Sequence, residues 1–147
     1  MNAATSAFQI LLIEDDPADA RLAQIALREA AVVSVVHHVR DGVEALDFLR
    51  RKAPEFTTAP RPDLVLLDLN MPRMDGRQVL RSMKGDPDLK TIPVVVLTTS
   101  DVDRDIAASY ALGANSFVTK PMDVDEFCAV IRGIESYWFS VVRLPRG

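Results

Sequence analysis

Two adjacent carboxylates, Glu14 and Asp15, stand at the end of one short apolar run, and a third, Asp68, stands at the end of another. Thr98 closes a further run and Lys120 the last one. The runs are Ile10-Leu11-Leu12-Ile13, Leu64-Val65-Leu66-Leu67, Val94-Val95-Val96-Leu97 and the short Phe117-Val118. If they are parallel strands of one sheet, their ends meet at one edge, where three carboxylates, a hydroxyl and an ammonium converge. Two carboxylates about 4 Å apart repel by roughly 4 kcal/mol at an effective dielectric near 20, so such a cluster requires compensating positive charge. Lys120 offsets one negative charge and a hard divalent cation offsets two. All-oxygen coordination with few protein ligands favours magnesium, which keeps several waters and shares its site with phosphate. A phosphoryl group would suit this pocket: Lys120 and the cation screen its charge, Thr98 donates to its oxygens, and a carboxylate can attack it to form an aspartyl phosphate. Asp68, at the tip of the central run, is the candidate nucleophile. Glu14, through a water, and Asp15 are the candidate metal ligands, with the main-chain carbonyl of Asn70 as a further one.

The elements that must position these groups are readable from apolar spacing. Each run is too short for a helix and does not alternate, which suits a strand covered on both faces of a parallel sheet. A further run, Val33 to Val39, is interrupted by Ser34, His37 and His38. Between the strands lie amphipathic stretches. The first predicted helix runs from Pro17 to about Ala31, with an Asp able to cap it and Pro tolerated in its first turn. Others are predicted over Asp41–Arg51, Gly76–Lys84, Val102–Leu112 before Gly113, and Asp123–Tyr137. Strands and helices alternating five times predict an α/β fold: a five-stranded parallel sheet, order 2-1-3-4-5, with helices on both faces. Its switch point falls at the carboxyl ends of strands one and three, where the acids are. Arg51 to Pro62, with three prolines, reads as a stiff loop. Asn70 to Gly76 reads as a turn fixed by Pro72 and closed by Asp75-Gly76. Pro121 disfavours the helical region at Lys120, directing that residue back over the pocket.

At 147 residues the chain has room for one domain, expected over residues 1–137, with residues 138–147 as an extension. Seventeen basic and twenty-one acidic residues give a net charge of −4, so no basic field exists to hold nucleic acid or anionic lipid. With 48% hydrophobic residues the chain can build a core. The lone Cys128 fits a reducing compartment, and the start lacks signal-peptide character, so a cytoplasmic location is expected. Asp16 reads as a helix cap and Asp75 as turn chemistry. His37 and His38, adjacent on a strand, face opposite ways and read as structural.

The motifs I-L-L-I-E-D-D (10–16), L-D-L-N-M-P-R-M-D-G (67–76), V-L-T-T (96–99) and F-V-T-K-P (117–121), in this order, resemble the receiver domains of two-component response regulators. The resemblance spans about Ile10 to Tyr137 and implies a flavodoxin-like receiver fold. It implies that Asp68 accepts a phosphoryl group from the phosphohistidine of a sensor histidine kinase. Mg2+ would be bound by Asp15, Asp68 and the Asn70 carbonyl, with Thr98 and Phe117 carrying the conformational switch. Glu14 departs from the commoner Asp by one methylene, which should alter the metal's water contacts. Thr99 stands where a smaller residue is frequent, and Phe117 lacks a phenol hydroxyl. The aromatic and β-branched ending, Ser136 to Pro145, together with the Pro-rich loop, resembles single-domain regulators paired with phytochrome-type histidine kinases, in which this segment joins two subunits. A homodimer through residues 138–147 is therefore expected.

The role expected is a phosphoacceptor switch rather than an enzyme. A phosphorelay intermediate passing phosphate to a histidine phosphotransfer protein is an alternative that the sequence does not separate. A Mg2+-dependent phosphatase working through an aspartyl phosphate would want an acid two residues after Asp68, where Asn70 stands. A flavin or dinucleotide carrier would want a Gly- or hydroxyl-rich loop after the first strand, where Glu14-Asp15-Asp16-Pro17 would repel a phosphate.

Overall fold

The computed structural model describes residues 8–29, 34–52, 54–69, 74, 76–98, 113–114, 116–119, 121 and 123–137. The elements in chain order are β1 (Phe8–Ile13), α1 (Pro17–Arg28), β2 (Ser34–Val39), α2 (Gly42–Arg50), a 3-10 turn at Pro54–Phe56, β3 (Leu64–Leu67), α3 (Gly76–Lys84), β4 (Val94–Thr98), β5 (Ser116–Thr119) and a closing helix (Val124–Ser136). The strands form one sheet in the order β2-β1-β3-β4-β5. All pairings are parallel, with Ile13 opposite Leu67, Leu67 opposite Val96, and Thr98 opposite Thr119. The helix expected over Val102–Leu112 falls outside the described residues.

Apart from Gln9 near the start of β1 and Thr98 at the end of β4, the central strands are apolar because both faces are covered. Leu11, Ile13, Val65, Leu67, Val94 and Val96 pack on one side with residues of α2 and α3. Ile10, Leu12, Leu64, Leu66, Val95 and Leu97 pack on the other with residues of α1 and the closing helix. Each such side chain removed from water contributes about 1.5–3 kcal/mol, so the register of these strands is the most strongly determined feature of the fold. Strand β2 obeys a different rule. It pairs with β1 alone among the described residues, and Val35 is 42% exposed. This half-exposed edge accounts for the Ser and His residues that interrupt its apolar run. His37 Nε2 lies 2.7 Å from Gln9 Oε1, and its ring sits 5.3 Å from that of Phe48, which in turn meets Phe56 at 5.5 Å.

Helix ends follow local chemistry. Asp16 accepts hydrogen bonds from the amides of Ala18 and Asp19, Asp41 from Glu44, and Asp123 from Glu126. Each satisfies amides that would otherwise lack partners. The first helix stops at Arg28, with Glu29 as its cap, short of the predicted Ala31. The second ends at Arg50, because Arg51 adopts a left-handed conformation (φ 54, ψ 37). The amides of Arg51 and Lys52 turn back onto the carbonyls of Phe48 and Asp47, a closure that glycine usually provides. Arg51 has a use there: its Nε donates to Ala59 O at 2.7 Å. Arg61 donates to Asp88 O and, at 2.8 Å, to Thr91 Oγ1. The segment read as a stiff loop is tied at both ends and contains the short turn at Pro54–Phe56. Among the described residues no helix is long and apolar enough to cross a membrane.

Two expectations follow. Arg51→Gly relieves a left-handed side chain, worth about 1 kcal/mol, and forfeits a hydrogen bond of about the same size. Urea unfolding should shift by less than about 1 kcal/mol, while limited proteolysis within residues 52–62 speeds up. Burial lowers the His37 pKa below its ordinary value of 6.5, so the unfolded chain binds the proton more readily. This contribution to stability is present above about pH 6.5 and is lost as pH falls toward the folded-state value. In chemical unfolding followed across that range, His37→Gln should flatten the dependence.

Candidate functional site

The register of β1 against β3 brings their last residues side by side, so the residues that follow, Glu14 and Asp68, leave the sheet together. Main-chain hydrogen bonds continue past the strands: the Asp68 amide donates to Ile13 O at 3.0 Å and the Glu14 amide to Val39 O at 3.1 Å. Carboxylate oxygens of Glu14, Asp15 and Asp68 all lie within 4.8 Å of one another. Glu14 is 3% exposed and Asp68 7%, whereas Asp15 faces solvent. Two oxygens that ligate the same hard cation can be no more than about 5 Å apart, given bonds of 2.0–2.6 Å, and these meet that limit. The donor set is all carboxylate oxygen, which suits magnesium, manganese or calcium and not a thiophilic metal. Glu14 Oε2 also accepts from the Asp16 amide, two residues further along the chain, at 3.3 Å.

The loop after Asp68 is held by a close approach. The Gly76 amide donates to Leu69 O at 2.9 Å, and a Cβ on Gly76 would stand 2.4 Å from Asp68 O and 2.6 Å from Leu69 Cα. No side chain fits there, so glycine is required for α3 to start directly beneath the phosphoacceptor candidate. Leu69 is fully buried and anchors the strand side of the turn. At the neighbouring strands, Thr98 pairs with Thr119, the residue before Lys120, and Phe117 pairs with Val96.

Glu14, Asp15 and Asp68 are thus brought together. The side chains of Thr98 and Phe117, and the whole of Asn70, Asp75, Thr99 and Lys120, lie outside the described residues, as does segment 138–147. Asp16 is a helix cap, as its position suggested. Cys128 is half-buried on the closing helix beside the core. Sequence reasoning missed two neighbours of the site. His38 Nε2 lies 2.7 Å from Glu14 O, and the Gly42 amide donates to Met74 O at 3.1 Å. The available signals were the place of His38 near the end of the strand beside β1 and the Asp41-Gly42 pair at a helix start. For Gly76→Ala, overlap with main-chain atoms should cost about 1–3 kcal/mol in urea unfolding. The same substitution should weaken Mg2+ binding in calorimetry by displacing Asp68.

Comparison with known proteins matches residues 10–132 to the response regulator receiver domain model. Response regulator Rcp1 of Synechocystis is 46% identical over 136 residues, covering 92% of both chains. A crystal structure of the phosphorylated cyanobacterial phytochrome response regulator RcpA superposes with a TM-score of 0.92 at 47% identity, covering 96% of this chain and 100% of that one. The Mn2+-bound form of Rcp1 superposes with a TM-score of 0.89 at 45% identity, covering 95% and 99%. With most of its length matched and its acidic cluster at the expected sheet edge, the chain belongs to the response regulator receiver domain family.

Proposed function

We propose that the chain is a phosphoacceptor switch in which Asp68 takes a phosphoryl group from the phosphohistidine of a sensor histidine kinase. The observation that carries this reading is the meeting of Glu14, Asp15 and Asp68 carboxylates at the ends of β1 and β3. A carboxylate oxygen of Asp68 attacks phosphorus, the P–N bond to the kinase histidine breaks, and the imidazole leaves with that electron pair. Asp15, Asp68 and the Asn70 main-chain carbonyl would hold Mg2+, with Glu14 acting through a water. When bound, the cation draws charge from the phosphoryl oxygens and lets an anionic nucleophile approach them. Lys120 supplies further positive charge and Thr98 donates a hydrogen bond.

Phosphorylation replaces one charge on Asp68 by roughly two and adds acceptor oxygens, which draw Thr98 and Lys120 inward. With Phe117 following by packing alone, the face around β5 and the closing helix shifts between two populations that a partner distinguishes. Likeness to RcpA and Rcp1 supports a phytochrome-type kinase as the partner, and a cytoplasmic location goes with it. Residues 1–137 form the receiver and residues 138–147 join two copies.

Incubation with Mg2+ and phosphorylated candidate kinases, read by intact mass, should add one phosphoryl group to the wild type and none to Asp68→Asn. Equal uptake by that variant would refute the assignment. Sedimentation of the full chain should give twice the mass of a version stopped at Ser136, whereas equal masses would remove the dimer segment.

A further inference from the structure

The β2–α2 connection touches both halves of the acidic site. On the β1 side, Val39 O accepts the Glu14 amide at 3.1 Å, and His38 Nε2 lies 2.7 Å from Glu14 O. A carbonyl can only accept, so Nε2 carries the proton and donates. Both main-chain polar groups of Glu14 are therefore held by consecutive residues of β2. On the β3 side, the Gly42 amide donates to Met74 O at 3.1 Å, two residues before Gly76. A Cβ on Gly42 would stand 2.4 Å from Met74 O and 2.7 Å from both Met74 Cβ and Cγ. The start of α2 has little room to slide, because Asp41 is buried and its side chain accepts the Glu44 amide at 2.9 Å. Five residues thus span from the point where the acidic pair leaves β1 to the point where the phosphoacceptor loop returns to α3.

We infer that residues 38–42 are a brace that sets the spacing of the acidic site, with His38 and Gly42 as positioning residues for cation binding and phosphoryl uptake. The inference rests on the metal and phosphoacceptor reading above. Glu14 O belongs to the peptide plane that also carries the Asp15 amide. Once His38 is removed, that carbonyl must turn to find another donor, and the rotation carries Asp15 with it. A methyl group on Gly42 pushes Met74, and through the short turn it displaces Asp68. Neither residue touches the cation or the phosphoryl group. They act on the preorganisation of those that do, as hydrogen-bonding neighbours of metal ligands do elsewhere.

The test is Mg2+ affinity by calorimetry at one fixed pH, together with the rate of phosphoryl uptake from acetyl phosphate. His38→Ala should weaken Mg2+ by about tenfold, the lower end of the range for lost outer-shell partners. His38→Gln, whose amide can donate to the same carbonyl, should recover most of that loss. Gly42→Ala should weaken Mg2+ and slow uptake to a similar degree. Leu89→Ala, a core truncation remote from the acids, should lower the melting temperature and leave Mg2+ affinity unchanged. Affinities of His38→Ala and Gly42→Ala within twofold of wild type, or an equal loss in Leu89→Ala, overturn the brace. If those two variants match wild type while Asp15→Asn abolishes Mg2+ binding, only the brace falls. Mg2+ binding that survives Asp15→Asn removes the underlying reading and the brace with it.

Discussion

Repulsion among three carboxylates is the constraint around which this molecule is arranged. Left to themselves, Glu14, Asp15 and Asp68 would be pushed apart, since like charges this close repel. Their oxygens nevertheless lie within 4.8 Å. The force that holds them is not local. It comes from the apolar register of β1 and β3, whose side chains are buried on both faces and cannot slip without exposing a row of Leu, Ile and Val. Folding energy is thereby stored as an electrostatic demand for positive charge, which a divalent cation and a lysine can answer.

Rigidity around the acids has two sources that differ in kind. Gly76 is a steric device, in which the absence of a side chain lets α3 begin against the main chain of Asp68. The β2–α2 connection is a hydrogen-bonded one, reaching Glu14 through His38 and Val39 and the far end of the turn through Gly42. Both grip backbone rather than carboxylates. A switch needs this combination: a fixed scaffold, and reacting groups whose interactions change when charge is added.

Much of this was legible before any coordinates. Runs such as Leu64 to Leu67 announce a two-sided strand because burial on both faces leaves no polar position, and the acids that follow stand where parallel strands end. Edge strand β2 was harder to read, since half-exposure admits Ser34, His37 and His38 and dilutes the apolar signal. Arg51 was placed inside a helix because the apolar spacing of the second helix runs up to it, and its left-handed turn goes with a distant partner, Ala59. The same reason hid His38 and Gly42. His38 owes its contact to the pairing of β2 with β1, which sets it opposite Leu12 and within reach of Glu14. Gly42 meets a turn more than thirty positions away. Contacts of this kind depend on register between elements, which residue type and local spacing do not encode.

The central claim is that the acids at the ends of β1 and β3 share one cation beside the Asp68 carboxylate, and diffraction from Mn2+-soaked crystals tests it most directly. The account predicts an anomalous peak at about 2.0–2.4 Å from carboxylate oxygens of Asp15 and Asp68. An empty site at saturating Mn2+, or a peak elsewhere with Asp15 turned away from Asp68, would contradict it.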